Sequence, residues 1–344
     1  MFRSGIIGLG AIGSKQDEEK KSDGVYSHAG AYKIVDGIEL VSACELNDDR
    51  AKAFRAFWGI DNIYNNIEEF LSHDNLDVIS ICTPDNTHYP ILKRILCEPG
   101  KLKAVIVEKP FGMTSQECLE LERLAEKSNI FVTVNNQRRV EPAHLMITQM
   151  LRSGSLGKVH AISAYYVKGL FHNGCTMVDT LRMLLGEVEW VMALPTPKTG
   201  SNDADLSIDF ILGFDNTCKA VVQSCDKGGY NYSIFEIDIL CSQGRLRIQN
   251  NGFDIFLQHI EEYPHYPGFK SLGSSELISG SMAFAMTHLL RSVLDGVRAG
   301  KVGFSDLAKE AIRDMAVLEL IRESEKQNGK KIHCNLSIRN AEKY

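Results

Sequence analysis

The stretch Gly5-Ile6-Ile7-Gly8-Leu9-Gly10-Ala11-Ile12-Gly13 constrains this chain more than any other. A short apolar strand runs directly into G-x-G-x-x-G, so the backbone must turn sharply and then continue as a helix. The three glycines answer different physical needs. Gly8 permits the tight turn, Gly10 lets the backbone come close to a pyrophosphate, and Gly13 allows close packing of helix on strand. A helix behind such a turn directs unpaired N–H groups and the positive end of its dipole at phosphate.

The segment after the turn is irregular. Ser14 to Gly24 is densely charged and lacks apolar periodicity, which predicts a solvated surface insertion with the helix proper at about His28 to Val35. Beyond it, strands and helices alternate. Strands are expected at Ile38–Cys44, Val78–Cys82, Ala104–Val107 and Phe131–Val134, with helices at Asp49–Trp58, Ile67–Ser72, Tyr89–Leu96 and Ser115–Ser128. Strands that are apolar on both faces and separated by helices predict a doubly wound parallel sheet, an α/β Rossmann arrangement. In such sheets ligands bind beyond the carboxyl ends of the strands. The polar clusters Thr83-Pro84-Asp85-Asn86-Thr87-His88, Glu108-Lys109-Pro110 and Asn135-Asn136-Gln137-Arg138-Arg139 all fall there.

The second half changes character. After a helix at Glu141–Ser153, a strand at His160–Val167 and a helix at Met177–Leu185, several strands come in quick succession from Leu206 to Leu257. Turns are expected at Gly213–Asn216, Lys227–Gly229, Gly244 and Asn250–Gly252. That spacing favours hairpins and an antiparallel sheet. Two helices, Met282–Ala299 and Ser305–Lys326, close the chain. The expected organisation is a dinucleotide-binding domain over 1–137 and an α+β domain over 138–344 with an open-faced, mainly antiparallel sheet.

Composition narrows the function classes. The chain has 344 residues, 44% of them hydrophobic and 24% charged, which suits two globular domains and excludes a disordered chain. A formal net charge of −6 gives no reason to expect nucleic acid or an anionic membrane as partner. None of the nine cysteines sits in a C-x-x-C pair, so neither a zinc site nor a disulfide framework is signalled. No metal is expected. Thiols placed within apolar strand patterns suit a reducing compartment. A first strand beginning near Ser4 and the lack of a long apolar run predict a soluble, cytoplasmic protein.

Three places carry chemistry. Glu45 closes the second strand, where a carboxylate accepts hydrogen bonds from ribose hydroxyls and repels a 2′-phosphate, so NAD is favoured over NADP. Its distance from Gly13 exceeds the usual ~20 residues because of the charged insertion; Arg50, nearby, could favour a phosphate. Lys109 lies at the carboxyl end of a buried strand. A lysine there can hydrogen-bond a substrate hydroxyl and stabilise a developing alkoxide. The third place is the stretch before the Met177 helix, where His172 can titrate near neutrality. Tyr165, Tyr166, Tyr230 and Tyr232 lie in strand patterns where packing is the expected role, and Tyr263, His259 and His265 lie in a proline-marked stretch that could form a substrate loop.

Taken together, Gly8-Leu9-Gly10-Ala11-Ile12-Gly13, Thr83-Pro84 with His88, Glu108-Lys109-Pro110 and Arg138-Arg139-Val140-Glu141-Pro142 resemble the glucose–fructose oxidoreductase / inositol dehydrogenase / MocA family. The resemblance covers nearly the whole chain. It implies a Rossmann domain, a sheet domain through which copies often associate into dimers or tetramers, and hydride transfer between NAD(P) and a sugar or polyol carbon. It also implies that Gly8, Gly10, Ala11, Ile12, Gly13, Glu45, Thr83, Pro84, Asn86, His88, Glu108, Lys109 and Gln137 line the cofactor, with Lys109 catalytic. The family usually carries Asp-x-x-x-His ahead of a helix reading x-x-Asp-x-x-Arg. Aligned on Asp179 and Arg182, this chain has His172 at the usual Asp position and Thr176 at the usual His position. His172-Asn173-Gly174 resembles a branch linked to surface-polysaccharide sugars, which normally keeps the downstream histidine.

Threonine is a poor general base near neutral pH. Acid–base work therefore shifts to His172, with Asn173 and Thr176 orienting substrate. Asp179 and Arg182, at i and i+3, are expected to form a helix-surface ion pair or to support the site. The function expected is an NAD-dependent oxidoreductase acting on a sugar or nucleotide sugar. Two readings compete with it: a catalytically impaired dinucleotide- or sugar-binding homologue, and a lyase or hydrolase that oxidises its sugar only transiently.

Overall fold

The structure, a computed structural model, describes residues 1–73, 75–195, 205–214, 218–225 and 234–334. They form two compact units, Met1–Glu141 with Ala283–Ile312, and Pro142–Met282 with Arg313–Tyr344.

The first unit begins with β1 (Phe2–Ile7), a π-helical turn at Ala11–Lys15, α1 (Gln16–Glu19), α2 (His28–Ile34), β2 (Ile38–Cys44), α3 (Asp48–Trp58) and β3 (Ile63–Tyr64). It continues with α4 (Ile67–His73), β4 (Val78–Ile81), α5 (Asp85–Cys97), β5 (Ala104–Val107), α6 (Ser115–Ser128), β6 (Phe131–Val134) and a 3-10 turn at Gln137–Val140. The second unit opens with α7 (Pro142–Arg152), β7 (Val159–Tyr166), a π-helical turn at Leu170–Gly174 and α8 (Cys175–Leu185). Its strands are β8 (Val188–Ala193), β9 (Phe210–Phe214), β10 (Lys219–Ser224), β11 (Phe235–Cys241), β12 (Gly244–Gln249), β13 (Asp254–Glu262) and β14 (Lys270–Ile278). The chain then adds α9 (Ala285–Arg298) and β15 (Gly303–Phe304) to the first unit. Next comes α10 (Asp306–Lys326), within which the division falls, and β16 (Ile332–His333) completes the second unit.

Among the described residues the first sheet has seven strands in the order β15-β6-β5-β4-β1-β2-β3, all paired in parallel. Strands β4, β5 and β6 are buried along their whole length. Their sequences explain it: Val78-Ile79-Ser80-Ile81 and Ala104-Val105-Ile106-Val107 have no polar face to turn to water.

One face is covered partly by α9, whose Met286, Leu289, Leu290, Val293 and Leu294 recur at helical spacing and join a core with Ala29, Tyr32, Ile106 and Phe131. Gly296 lets α9 press on the sheet; a Cβ there would lie 2.6 Å from the Phe131 ring. The organisation therefore differs from the single cut expected after residue 137. A stretch deep in the C-terminal half belongs to the first unit because its apolar stripe completes that unit's core.

The charged segment after Gly13 also differs from expectation. Helix begins at once, through the π-helical turn and α1, and Ser14 and Asp17 are buried. The cause is a carboxylate the segment folds around. Asp17 accepts hydrogen bonds from the Tyr26 and Ser27 backbone N–H groups (3.1 and 2.8 Å) and the Ser27 hydroxyl (2.6 Å).

In the second unit the described strands run β14-β13-β12-β11-β7-β10-β9-β8-β16, antiparallel except for β7 with β10. Tyr166 is fully buried at its centre, packs on Phe210, and bonds the Ile208 carbonyl through its hydroxyl at 2.7 Å. The expected packing role holds for Tyr166, while Tyr230, Tyr232 and the turns placed at 215–216 and 227–229 lie outside the described residues. The proline-marked stretch around Tyr263 and His265 is the exposed connection of the β13–β14 hairpin.

Arg182 and Asp179 are buried in α8, which overturns the surface ion pair expected of them. Arg182 bonds Asp314 at 2.5 Å and Glu187 at 2.9 Å. Removing one partner of a buried pair strands the other charge and costs about 3–5 kcal/mol, whereas apolar replacement of both is near neutral. Arg182→Met should therefore destabilise the protein by about 3–5 kcal/mol in denaturant titrations. Arg182→Met combined with Asp314→Leu should recover most of that loss, and failure to recover would show that the pair is not the cause.

Candidate functional site

The carboxyl edge of the first sheet gathers the residues expected to hold a dinucleotide. Gly8 has φ +88°, and a Cβ there would lie 2.8 Å from the Cys82 carbonyl oxygen. A Cβ on Gly13 would lie 2.2 Å from the Gly8 carbonyl oxygen, which forces glycine where α1's approach meets the strand. At Gly10, by contrast, nothing comes within 4 Å of a Cβ. Two glycines thus serve close packing and the third borders open space, as a phosphate cradle requires. The Ser14 and Lys15 N–H groups bond back to the Gly10 carbonyl at 3.1 Å, fixing the turn.

Glu45 sits just past β2 and is half-buried. Its carboxylate accepts from the Leu9 N–H of the glycine turn at 2.8 Å and from the Asn47 N–H at 2.9 Å. Each oxygen retains lone-pair capacity for a ribose hydroxyl.

The Thr83–His88 cluster is arranged differently from expectation. Helix α5 begins at Asp85 rather than Tyr89, because Pro84 sets the entry and its carbonyl accepts from the Thr87 N–H and hydroxyl (2.9 and 2.6 Å). Thr83 is half-buried and takes the Thr87 hydroxyl at 2.6 Å, while Pro84 and Asn86 are exposed. His88 is buried with both ring nitrogens at carbonyl oxygens, those of Pro110 and Thr83, each at 2.7 Å. Its place is that of a clamp between the β4 and β5 ends.

Glu108 is likewise buried rather than lining a cleft. It meets His28 Nε2 of α2 at 2.8 Å and also the Asn135 side-chain amide at the end of β6. His28 Nδ1 meets the Ser80 hydroxyl at 2.8 Å, which meets the Tyr32 hydroxyl at 2.7 Å. Tyr32, Ser80 and His28 thus form one buried hydrogen-bonded chain that ends at the Glu108 carboxylate. Burial alone pushes the Glu108 carboxyl up. The hydrogen bond and charge of His28, then Asn135 and the neighbouring Lys109 ammonium, bring it below the ordinary 4.5. The same burial and the Glu108 charge push the Cys82 thiol well up, and burial raises the Tyr32 phenol strongly.

Lys109 comes directly after, half-buried, before a cis peptide to Pro110. Gln137 is half-buried at the start of the 3-10 turn beyond β6. His28 and Ser80 are the residues missed from sequence, while the sequence places Asn135 at the strand end without a role. A histidine opening a helix carries no sign that its partner lies 80 positions on.

In the second unit His172 and Asn173 lie in the π-helical turn and Thr176 in the first turn of α8, all half-buried. Asp205, also missed, holds this turn, accepting from the Phe171 and His172 N–H groups at 3.0 and 2.9 Å. Gly169 (φ +87°) admits it, since a Cβ there would lie 2.2 Å from the Asp205 carboxylate. Among the described residues no group of three or more His, Cys, Asp or Glu side chains could hold a metal, and no helix is long and apolar enough to cross a membrane.

A strand-to-glycine turn with an acidic residue closing the next strand defines a dinucleotide-binding fold. Residues 2–136 match the oxidoreductase family model described as an NAD-binding Rossmann fold. Over those residues the chain is similar to the Gfo/Idh/MocA oxidoreductases. A myo-inositol 2-dehydrogenase from Thermotoga maritima is 24% identical over 269 residues, 72% of this chain and 75% of that protein. A D-apiose dehydrogenase from Paraburkholderia graminis is 27% identical over 131 residues, 38% of this chain and only 34% of that protein. A levoglucosan dehydrogenase solved with NADH and levoglucosan shares the fold at TM-score 0.75 and 15% identity, covering 97% of this chain and 99% of that one.

Two measurements test this geometry. Gly13→Ala should lose about 1–3 kcal/mol of stability, whereas Gly10→Ala should melt like the unmodified protein yet bind NAD less tightly. Equal melting losses would contradict the division of roles. The lowered Glu108 carboxyl contributes stability that is present above the ordinary 4.5 and lost as pH falls through its folded value. Glu108→Gln should flatten the acid side of the stability–pH curve, read from melting temperatures.

Proposed function

We propose that this chain is an NAD-dependent oxidoreductase that moves a hydride between nicotinamide and a hydroxyl-bearing or keto carbon of a sugar or cyclic polyol. The observation that carries this is Lys109, half-buried at the carboxyl end of β5 and immediately after the buried Glu108–His28 pair, in a unit whose glycine turn has the geometry of a phosphate cradle. Dehydrogenation of inositol and apiose by the two named relatives supports a polyhydroxylated substrate. NAD, when bound, supplies the hydride acceptor.

The chain's own residues do the rest. Gly10 and the N–H groups behind it accommodate the pyrophosphate, and Glu45 accepts from the ribose. Lys109 donates a hydrogen bond to the substrate oxygen and stabilises alkoxide character as the hydride leaves. His172, on a turn fixed by Asp205, takes or returns the hydroxyl proton. Asn173 and Thr176 orient hydroxyls. A nucleotide-linked sugar is the finer version of this substrate class, and association through the second unit's sheet is in keeping with exposed Tyr266, Phe269 and Leu277 along its β13–β14 edge.

The second reading rests on Thr176. With no histidine there, the protein would bind NAD and sugar without turnover, and Thr176→His could then restore chemistry. Turnover by the unmodified protein separates the two readings, and Lys109→Met tests the first. On the oxidoreductase reading kcat falls about 10²–10⁴-fold while the NAD dissociation constant moves less than about twofold; unchanged turnover would remove Lys109 from the mechanism. His172→Ala should lower kcat and change the pH dependence of turnover. An unaltered profile would assign proton transfer elsewhere.

A further inference from the structure

The charged segment after the glycine turn contributes a group that the cofactor reading does not use. Glu18, on α1, is mostly buried and holds Arg50 of α3 through the guanidinium Nη2; the two side chains are 9% and 17% exposed. The same Glu18 oxygen receives the Ser14 hydroxyl and, at 3.1 Å, the Trp58 indole N–H, which also reaches Ser14 at 2.8 Å. Arg50 is the first basic residue after β2. Its backbone N–H bonds the Asn47 side chain at 2.9 Å, and the Asn47 N–H bonds Glu45 at 2.9 Å. The guanidinium is thus built into the same turn as the carboxylate that would meet the adenosine ribose.

A 2′-phosphate carries close to two negative charges at neutral pH and is best recognised by arginine. Here the arginine positioned for it is already neutralised. Acidic groups precede it in the same turn, at Glu45, Asp48 and Asp49, and they repel phosphate. Its Nε–H, buried, has no partner, so the guanidinium retains a donor that no protein acceptor uses.

We propose that Glu18 is a cofactor-specificity residue: by sequestering Arg50 it withholds the cation that a 2′-phosphate needs, and so selects NAD against NADP. The inference rests on the reading that the glycine turn binds a dinucleotide. It gives the segment after Gly13 a function, because Glu18 reaches Arg50 from there.

The test is calorimetric titration of NAD⁺ and NADP⁺, with melting curves in each, on the unmodified protein, Glu18→Gln and Glu18→Gln with Arg50→Met. Freed of its carboxylate, Arg50 should lower the ratio of NADP⁺ to NAD⁺ dissociation constants at least tenfold in Glu18→Gln. NADP⁺ should also raise that variant's melting temperature more than it raises that of the unmodified protein. The double variant should lose both gains. An unchanged ratio in folded Glu18→Gln would overturn the proposal. If Glu18→Gln does not fold, Arg50→Met alone decides. NADP⁺ affinity within twofold of the unmodified protein supports sequestration, and a tenfold loss would show that Arg50 already contacts the phosphate. Failure of the unmodified protein to bind either dinucleotide would defeat the cofactor reading instead.

Discussion

The carboxylate of Glu108 is the interaction on which the first unit's site depends. It is buried at the end of β5, where an isolated charge would be untenable, and it is held by groups from two other elements. His28 brings α2 to it and Asn135 brings β6, while Ser80 and Tyr32 extend the chain of hydrogen bonds through the core. Lys109 is the next residue, so whatever fixes Glu108 also fixes the backbone that presents the lysine. His88 works alongside it, tying the β4–α5 turn to the Pro110 carbonyl. Hydrogen bonds among Glu108, His28, Asn135, His88 and the Pro110 carbonyl thus tie the carboxyl ends of the strands together.

Much of this was legible in the sequence where the signal is local. The glycine turn states its own geometry, since only glycine tolerates φ +88° at Gly8 or the 2.2 Å approach at Gly13. Strands β4, β5 and β6 announce themselves as apolar runs, and Lys109 falls at the end of one. Pairings between distant positions were not legible. Nothing near Glu108 points to His28, and nothing near Glu18 points to Arg50. The charge density of residues 14–24 reads as solvated surface, yet Asp17 turns inward because Tyr26 and Ser27 supply its donors. Helix α9 has a clear apolar stripe, but a stripe does not say which sheet it will cover.

The second unit illustrates the same division. Its strands follow from alternation, and the burial of Arg182 follows from neither spacing nor charge but from Asp314, 132 positions away on α10. The turn bearing His172 depends on Asp205, in a polar stretch that carries no periodic signal of its own. Thr176 opens a helix whose Asp179, Thr180 and Arg182 are all buried, Arg182 through its ion pairs with Asp314 and Glu187.

We propose that a hydride passes between a polyhydroxylated ring and NAD at Lys109. The most direct test is isotopic. Cyclic polyols and pyranoses carrying deuterium at their hydroxyl-bearing carbons are incubated with the protein and NAD⁺, and the recovered nicotinamide is analysed by mass spectrometry. Deuterium should appear in the reduced cofactor with at least one of them and be absent with Lys109→Met. Tight NAD⁺ and sugar binding with no transfer of label from any member would contradict the claim and leave a binding protein in its place.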